Sequence, residues 1–271
     1  MLDLELHTFT PVDPVLKKLI KYYWFIKSNN EIEIHGKLIP MNNIDLILNL
    51  SAPIRYTSSK GEESFQGSHF AGIQNKYRVV QQKGIVDIVG ISFFPTGFYP
   101  VIKIPLSEFA NTIVAMDTVI PGFESKMERI AEIESNEQRI TAIEKTLMGL
   151  VDLRLLPEKN YDLLVKDFLM NGDSINIKNY CEQHCINHRT LERFFNKYVG
   201  TTPKNFLKTT KFQKTMNRLK NRDFDSMTQI GYEFNYYDQT HFINSFKSFT
   251  GKTPLKQLKQ NDLIIHSFPK R

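Results

Sequence analysis

The chain has 271 residues, of which 41% are hydrophobic and 24% charged, the balance of a folded protein of about two domains and not of a disordered chain. Its formal net charge of +6 is unevenly spread: residues 1–171 hold 18 Lys+Arg against 21 Asp+Glu, or −3, and residues 172–271 hold 17 against 8, or +9. A basic last hundred residues after an acidic first part points to a module that meets a polyanion, with a solvated basic face as the plain alternative.

The first residues, MLDLELHTF, carry Asp3 and Glu5 and no basic run before an apolar one, so no signal peptide is expected. Short strands are expected over residues 31–35, 44–50 and 85–91, where apolar residues alternate with polar ones or are β-branched. Turn signals fall at Gly36, Pro40-Met41-Asn42-Asn43, Ser58-Ser59-Lys60-Gly61, Gly67, Lys83-Gly84 and Pro95-Thr96-Gly97. Regularly spaced short strands predict a β-rich barrel or sandwich over residues 1 to about 105. The longest apolar stretch, residues 85–94, is interrupted by Asp87, Gly90 and Ser92 and falls far short of a membrane span.

From about residue 106 the period lengthens to that of a helix. Ile130, Ile133, Ile140, Ile143, Leu147 and Leu150 recur at helical spacing, and Ser135-Asn136-Glu137-Gln138 fits a capping box that splits the region into two helices. The apolar stripe serves first as a cover for the β-rich part, and a homodimer contact is its second use. A third helix is expected over residues 161–170, stopped by Asn171-Gly172. The linker falls at residues 156–160, dividing the chain into 1–156 and 157–271. The fold class expected is multidomain α+β, a β-rich barrel or sandwich with a helical extension followed by an all-α part.

The all-α part repeats itself. Residues 177–203 and 227–254 each read as a short helix, a turn, a second helix and Gly-x-Thr-Pro. Asn176 and Ser226 suit the N-caps of the leading helices, and Asn187 and Asp238 those of the trailing ones. Two short helices must bury a shared face, through Ile177, Cys181, Leu191 and Phe195 in one unit and Met227, Ile230, Phe242 and Phe246 in the other. This is the helix-turn-helix pattern, with units at about 176–199 and 226–249.

Residues 173–258 resemble the DNA-binding domain of the AraC/XylS family of bacterial transcription regulators. The resemblance rests on Arg189, Leu191, Arg193, Phe195, Gly200 and Pro203, then Ile230, Asp238, His241, Phe242, Phe246, Lys247, Gly251, Thr253 and Pro254. Phe94-Pro95-x-Gly97 and Ile104-Pro105-Leu106-Ser107-Glu108 resemble the β-rich sensor domain of one branch of that family. Cys181 and Gly231 stand where the family has alanine, Cys185 and Asn235 where it has the turn glycine, and Asn244 replaces a common arginine.

The resemblance implies a cytoplasmic, non-enzymatic transcription regulator. Its partners would be double-stranded DNA and RNA polymerase, with room for a small-molecule effector in the N-terminal domain and no cofactor. Arg189, Glu192 and Arg193 share an outward face and suit guanine and cytosine edges, with His188 beside them. Gln239, Thr240, His241 and Asn244 form the matching face of the second unit. Lys197 and Lys247, with Lys178, Lys204, Lys208 and Lys252, suit phosphates or a solvated face. Lys211, Lys214, Arg218, Lys220 and Arg222 belong to the linking helix and its end.

Other chemistries fit less well. Only two cysteines are present, Cys181 and Cys185, which excludes a disulfide framework. With His184 and His188 they have a zinc-like spacing, but the expected turn falls between them. Gly251-Lys252-Thr253 resembles the end of a phosphate loop, yet Phe246 occupies the place of its first glycine. Tyr22, Trp24, Phe93, Phe94, Phe98 and Tyr99 are read as core in preference to an effector pocket.

Overall fold

A computed structural model describes residues 4–221, 224, 226–259 and 263–264. The first part alternates β1 (Glu5–Phe9), a one-turn helix α1 (Leu16–Leu19), β2 (Ile20–Lys27), β3 (Ile32–Leu38), β4 (Asp45–Ser58), β5 (Gly61–Ala71), β6 (Arg78–Gly84) and β7 (Asp87–Phe93). After a short helix α2 (Tyr99–Ile102) and a 3-10 turn at Leu106–Phe109, the strand β8 (Ile113–Ala115) adds to β5. Helices were expected from about residue 106. A three-residue strand carries too little periodicity to be read from sequence, and its partner is 40-odd residues away.

β4 organises the sheet. One of its edges pairs β7 through Asp45–Asn49 and then β6 through Arg55–Thr57, while β5 runs along the other. The β4–β5 register slips between Asn49 and Ile54, so the strand bends there and folds the sheet over itself. The order β1-β2-β7-β4-β6-β3-β9, where β9 is Leu263–Ile264, stays open: β1 and β9 lie at opposite ends. The Ser58–Gly61 turn is present as the β4–β5 hairpin. Gly36 and Gly67 are not turns. Gly36 pairs with Val80 inside β3, and Gly67 faces Asn49 at the bulge, covered by the Glu124 carboxylate.

Alternation along the strands makes two cores. Trp24, Ile34, Ile54, Tyr56, Val80 and Ile88 fill the inside of the folded sheet. Tyr23, Phe25, Leu46, Leu48, Val89, Ile91 and Phe93 point outward, where α3 (Met116–Val119), α4 (Phe123–Ala131) and α5 (Asn136–Met148) cover them. Ile130, Ile140, Ile143 and Leu147 are spent on this cover. Ser135 caps α5 by accepting from the Gln138 N–H, and its own hydroxyl donates to the Glu137 carboxylate (2.8 Å). Two polar anchors fasten α5 to the sheet. Arg139 binds both carboxylate oxygens of Asp87 (2.9 and 3.0 Å), and Glu144 accepts from the Val12 and Asp13 N–H groups and the Tyr23 hydroxyl.

The inner polar groups satisfy one another. His69 donates from Nδ1 to the Gly67 carbonyl (2.9 Å), so its Nε2 accepts the Tyr56 hydroxyl (2.8 Å). Burial lowers the His69 pKa to about 4. The Ser92 hydroxyl donates to Asp45 (2.6 Å), and Gln82 donates to the Ala52 carbonyl (2.7 Å). Phe93, Phe98 and Tyr99, weighed above as pocket residues, lie in the outer core.

The second part is helical: α6 (Lys159–Asn171), α7 (Ile177–Gln183), α8 (His188–Tyr198), α9 (Pro203–Lys220), α10 (Met227–Glu233), α11 (Gln239–Thr250) and α12 (Pro254–Lys259). Pro157 lies between a 3-10 turn at Leu153–Leu155 and α6. Among the described residues no helix is long and apolar enough to cross a membrane.

Candidate nucleic-acid interface

Each helix-turn-helix unit is built on its own core. Phe168, Tyr180, Cys181, Leu191, Phe195 and Phe206 join α6, α7, α8 and the start of α9. Phe212, Met216, Ile230, Phe242, Phe246 and Phe249 join the rest of α9 to α10 and α11. The caps fall where the sequence places them. Asn176, Asn187, Ser226 and Asp238 accept from the N–H groups of Asn179, Arg189, Gln229 and His241 at 3.1, 2.9, 3.1 and 2.6 Å.

The two turns share one geometry. Cys185 and Asn235 are left-handed, with φ of 52° and 54°. The following residues, Ile186 and Tyr236, donate from their N–H groups to the carbonyls of Cys181 and Gly231, both at 2.9 Å. This is a Schellman closure, with the residue after the left-handed position turned inward. Cys181 is buried in the first core, which raises its thiol pKa, while Cys185 is exposed on the turn. The His184 ring stacks on Tyr180. Among the described residues no group of three His, Cys, Asp or Glu side chains could hold a metal ion.

With Leu191, Phe194 and Phe195 turned inward, α8 leaves His188, Arg189, Arg193 and Lys197 exposed. Glu192 is half-buried, its carboxylate 3.9 Å from His188 Nδ1. On α11, Phe242, Phe246 and Phe249 turn inward, and Gln239, Thr240, His241, Asn244 and Lys247 are all exposed. Lys197 stands apart from the rest of its group, because its ammonium lies over the rings of Tyr99 and Tyr198 (5.1 and 5.2 Å), where the two parts of the chain meet.

The linking helix ties the units together, which the sequence did not reveal. Lys214 donates to the Met170 carbonyl (2.5 Å) and pairs with Asp173, just ahead of the first unit. Lys211 donates to the Asn235 carbonyl (2.8 Å) in the second turn, and the Asn235 amide donates to the Asp173 carbonyl (3.2 Å). Arg218 pairs with Glu233 (3.2 Å). Burial lowers the pKa of Lys211 and of Lys220. Lys211, Lys214 and Arg218 are therefore bound within the chain. Arg222 lies outside the described residues.

Both units also rest on the β-rich part, each through the glycine of its Gly-x-Thr-Pro turn. Gly200 (φ 86°) lies so close to Leu106 that a Cβ would stand 2.8 Å from its carbonyl oxygen. Gly251 (φ 76°) lies against Tyr77, where a Cβ would meet the ring at 2.5 Å. Left-handed backbone and close approach together require glycine at these two sites. Around them Lys37 donates to the Thr250 carbonyl (2.8 Å), Asn42 donates to the Phe206 carbonyl (3.0 Å) and the Thr210 hydroxyl (2.8 Å), and Tyr99 packs edge-on against Tyr198.

Two capped, Schellman-closed helix pairs joined by one helix define a tandem helix-turn-helix domain behind an open antiparallel sheet domain. A family model described as a helix-turn-helix domain matches residues 180–260, and one described as a domain of unknown function (DUF6597) matches residues 7–115. Two XylDLEGF operon transcriptional activators of Pseudomonas putida are 26% and 25% identical to this chain over 92 residues, 33% of the chain. The match spans 28% of the length of those relatives. ToxT from Vibrio cholerae is 8% identical with a TM-score of 0.47, covering 94% of this chain and 97% of its own. The AraC-like transcriptional activator CuxR is 9% identical with a TM-score of 0.25, covering 79% and 87%. The C-terminal part of the chain is thus similar to a helix-turn-helix domain and to part of these transcriptional activators.

Proposed function

We propose that the chain is a sequence-specific DNA-binding transcription regulator, acting in the cytoplasm and not as an enzyme, with its sheet domain (residues 1–156) governing a DNA-binding domain (residues 157–271). The observation that carries this reading is the pair of outward helix faces, Arg189 and Arg193 on α8 and Gln239 and Asn244 on α11, held in one frame by Lys211 and Lys214. Recognition helices so joined would enter successive major-groove turns on one side of a duplex. Arg189 and Arg193 suit guanine edges, Glu192 a cytosine amine and Gln239 and Asn244 adenine, while His188, Thr240, His241 and Lys247 complete the contact. Lys197 contributes less, given its place over Tyr99.

The likeness to transcriptional activators supports RNA polymerase as the second partner of the DNA-bound chain. A small-molecule effector would act through the sheet domain, because that domain touches both units at Gly200 and Gly251. It must bind two arrangements of the domains unequally to do so. The test is selection of bound duplexes from a random pool by the full chain. On a selected duplex Arg193→Ala should weaken binding by about 1–3 kcal/mol and relax base preference. Lys247→Ala should weaken all sequences alike and flatten the salt dependence. If Arg193→Ala leaves affinity and preference unchanged, α8 is not a reading helix.

A further inference from the structure

The two units match residue for residue up to their turns. Cys185 corresponds to Asn235 in its left-handed backbone, and Ile186 to Tyr236 in its bond back to the preceding helix. In the first unit the next residue, Asn187, is already the N-cap. In the second, one extra residue, Tyr237, precedes the cap Asp238. That extra residue is 89% exposed, the most of any exposed large hydrophobic side chain among the described residues. A ring so exposed contributes nothing to the core.

Its place is nonetheless fixed. Tyr236 before it is buried, and the Tyr237 N–H donates to His241 Nδ1 (3.3 Å). Accepting at Nδ1 puts the neutral imidazole's proton on Nε2, which leaves His241 a donor there. The first turn of α11 therefore offers uncharged groups, Gln239, Thr240 and His241, where α8 offers arginine. Tyr237 stands beside that turn, at the end of the helix that in helix-turn-helix docking meets the duplex.

We propose that Tyr237 is a DNA-positioning residue of the second unit, its ring lying along the sugar–phosphate strand beside the groove that α11 enters and its hydroxyl donating to a phosphate oxygen. This rests on the DNA-binding reading above. The location at the leading end of α11 favours DNA over a protein partner for this side chain.

The test uses the full chain and a duplex that it has selected from a random pool. Tyr237→Ala should weaken binding about 10- to 150-fold, the loss for a bond to a charged group. Tyr237→Phe should restore only the share of the ring. The salt slope should stay unchanged, since no cation is removed. The melting temperature should stay unchanged too, which a structural role would not allow. Wild-type affinity in Tyr237→Ala overturns the inference and leaves the ring to a protein partner, and a fall in melting temperature with affinity overturns it as well. A wild-type chain that enriches no duplex overturns the DNA-binding reading itself. Normal wild-type binding beside an unaffected Tyr237→Ala overturns this inference alone.

Discussion

Lys214→Met tests whether α9 sets the relation between the two helix-turn-helix units. Methionine keeps most of the stem and removes the ammonium, and with it the bond to the Met170 carbonyl and the pair with Asp173. The Lys214 and Asp173 side chains are 30% and 22% exposed, so the pair lies between a surface ion pair of about 0.2–1 kcal/mol and a buried charged bond of about 1.5–3 kcal/mol. A loss of about 1.5 kcal/mol follows, or roughly 3–6 °C in melting temperature for a chain of this size. Calorimetry of Lys214→Met, Asp173→Asn and the double variant separates the pair from its surroundings. The double variant should lose about 1 kcal/mol less than the sum of the single ones. If the two losses add within about 0.3 kcal/mol, the tie is not made by this pair.

Three further outcomes follow from the turns and the sheet interior. Cys185→Gly should stabilise the chain by roughly 0.5–1 kcal/mol, because a left-handed non-glycine residue is strained by about 1–2 kcal/mol and glycine returns part of that as unfolded-state entropy. Asn235→Gly should not stabilise, since asparagine tolerates the conformation and its amide bonds the Asp173 carbonyl; equal melting shifts in the two variants would refute this account. The neutral His69 contributes fully above pH 6.5, its ordinary pKa. Its contribution is lost as the pH falls toward 4, where the unfolded chain binds a proton that the folded one refuses, up to about 3 kcal/mol. His69→Gln should therefore melt with a shallower pH dependence over that interval, and an unaltered slope would show that another group is responsible.

The helical half was legible in the sequence because its signals are local. Each cap accepts from a donor two or three residues on, and each turn closes over five, so Asn176, Asn187, Ser226 and Asp238 declare themselves. The sheet half was legible as strands but not as punctuation. Gly67 reads as a turn and is the partner of a bulge, because the slip between Asn49 and Ile54 depends on which strand lies opposite. The fate of the lysines was hidden for the same reason. Lys214 meets Asp173 from 41 residues away, and Lys197 leans on Tyr99 in the other domain. Tyr237 carried no signal of its own in the sequence. Its standing as an extra one needs the turn geometry of both units, though the unequal spacing of the four caps carries the signal.

The strand β9 has a consequence for how the chain is made. It lies alongside β3, pairing at Gly36 and Lys37, yet it emerges only after both helix-turn-helix units have been synthesised. Until then β3 stands as an open sheet edge in a growing polypeptide, with unpaired backbone groups that any other strand can fill. Completion of the first domain is thereby tied to translation of the second. A ribosome stalled between them would leave behind a sheet with an edge still seeking a partner.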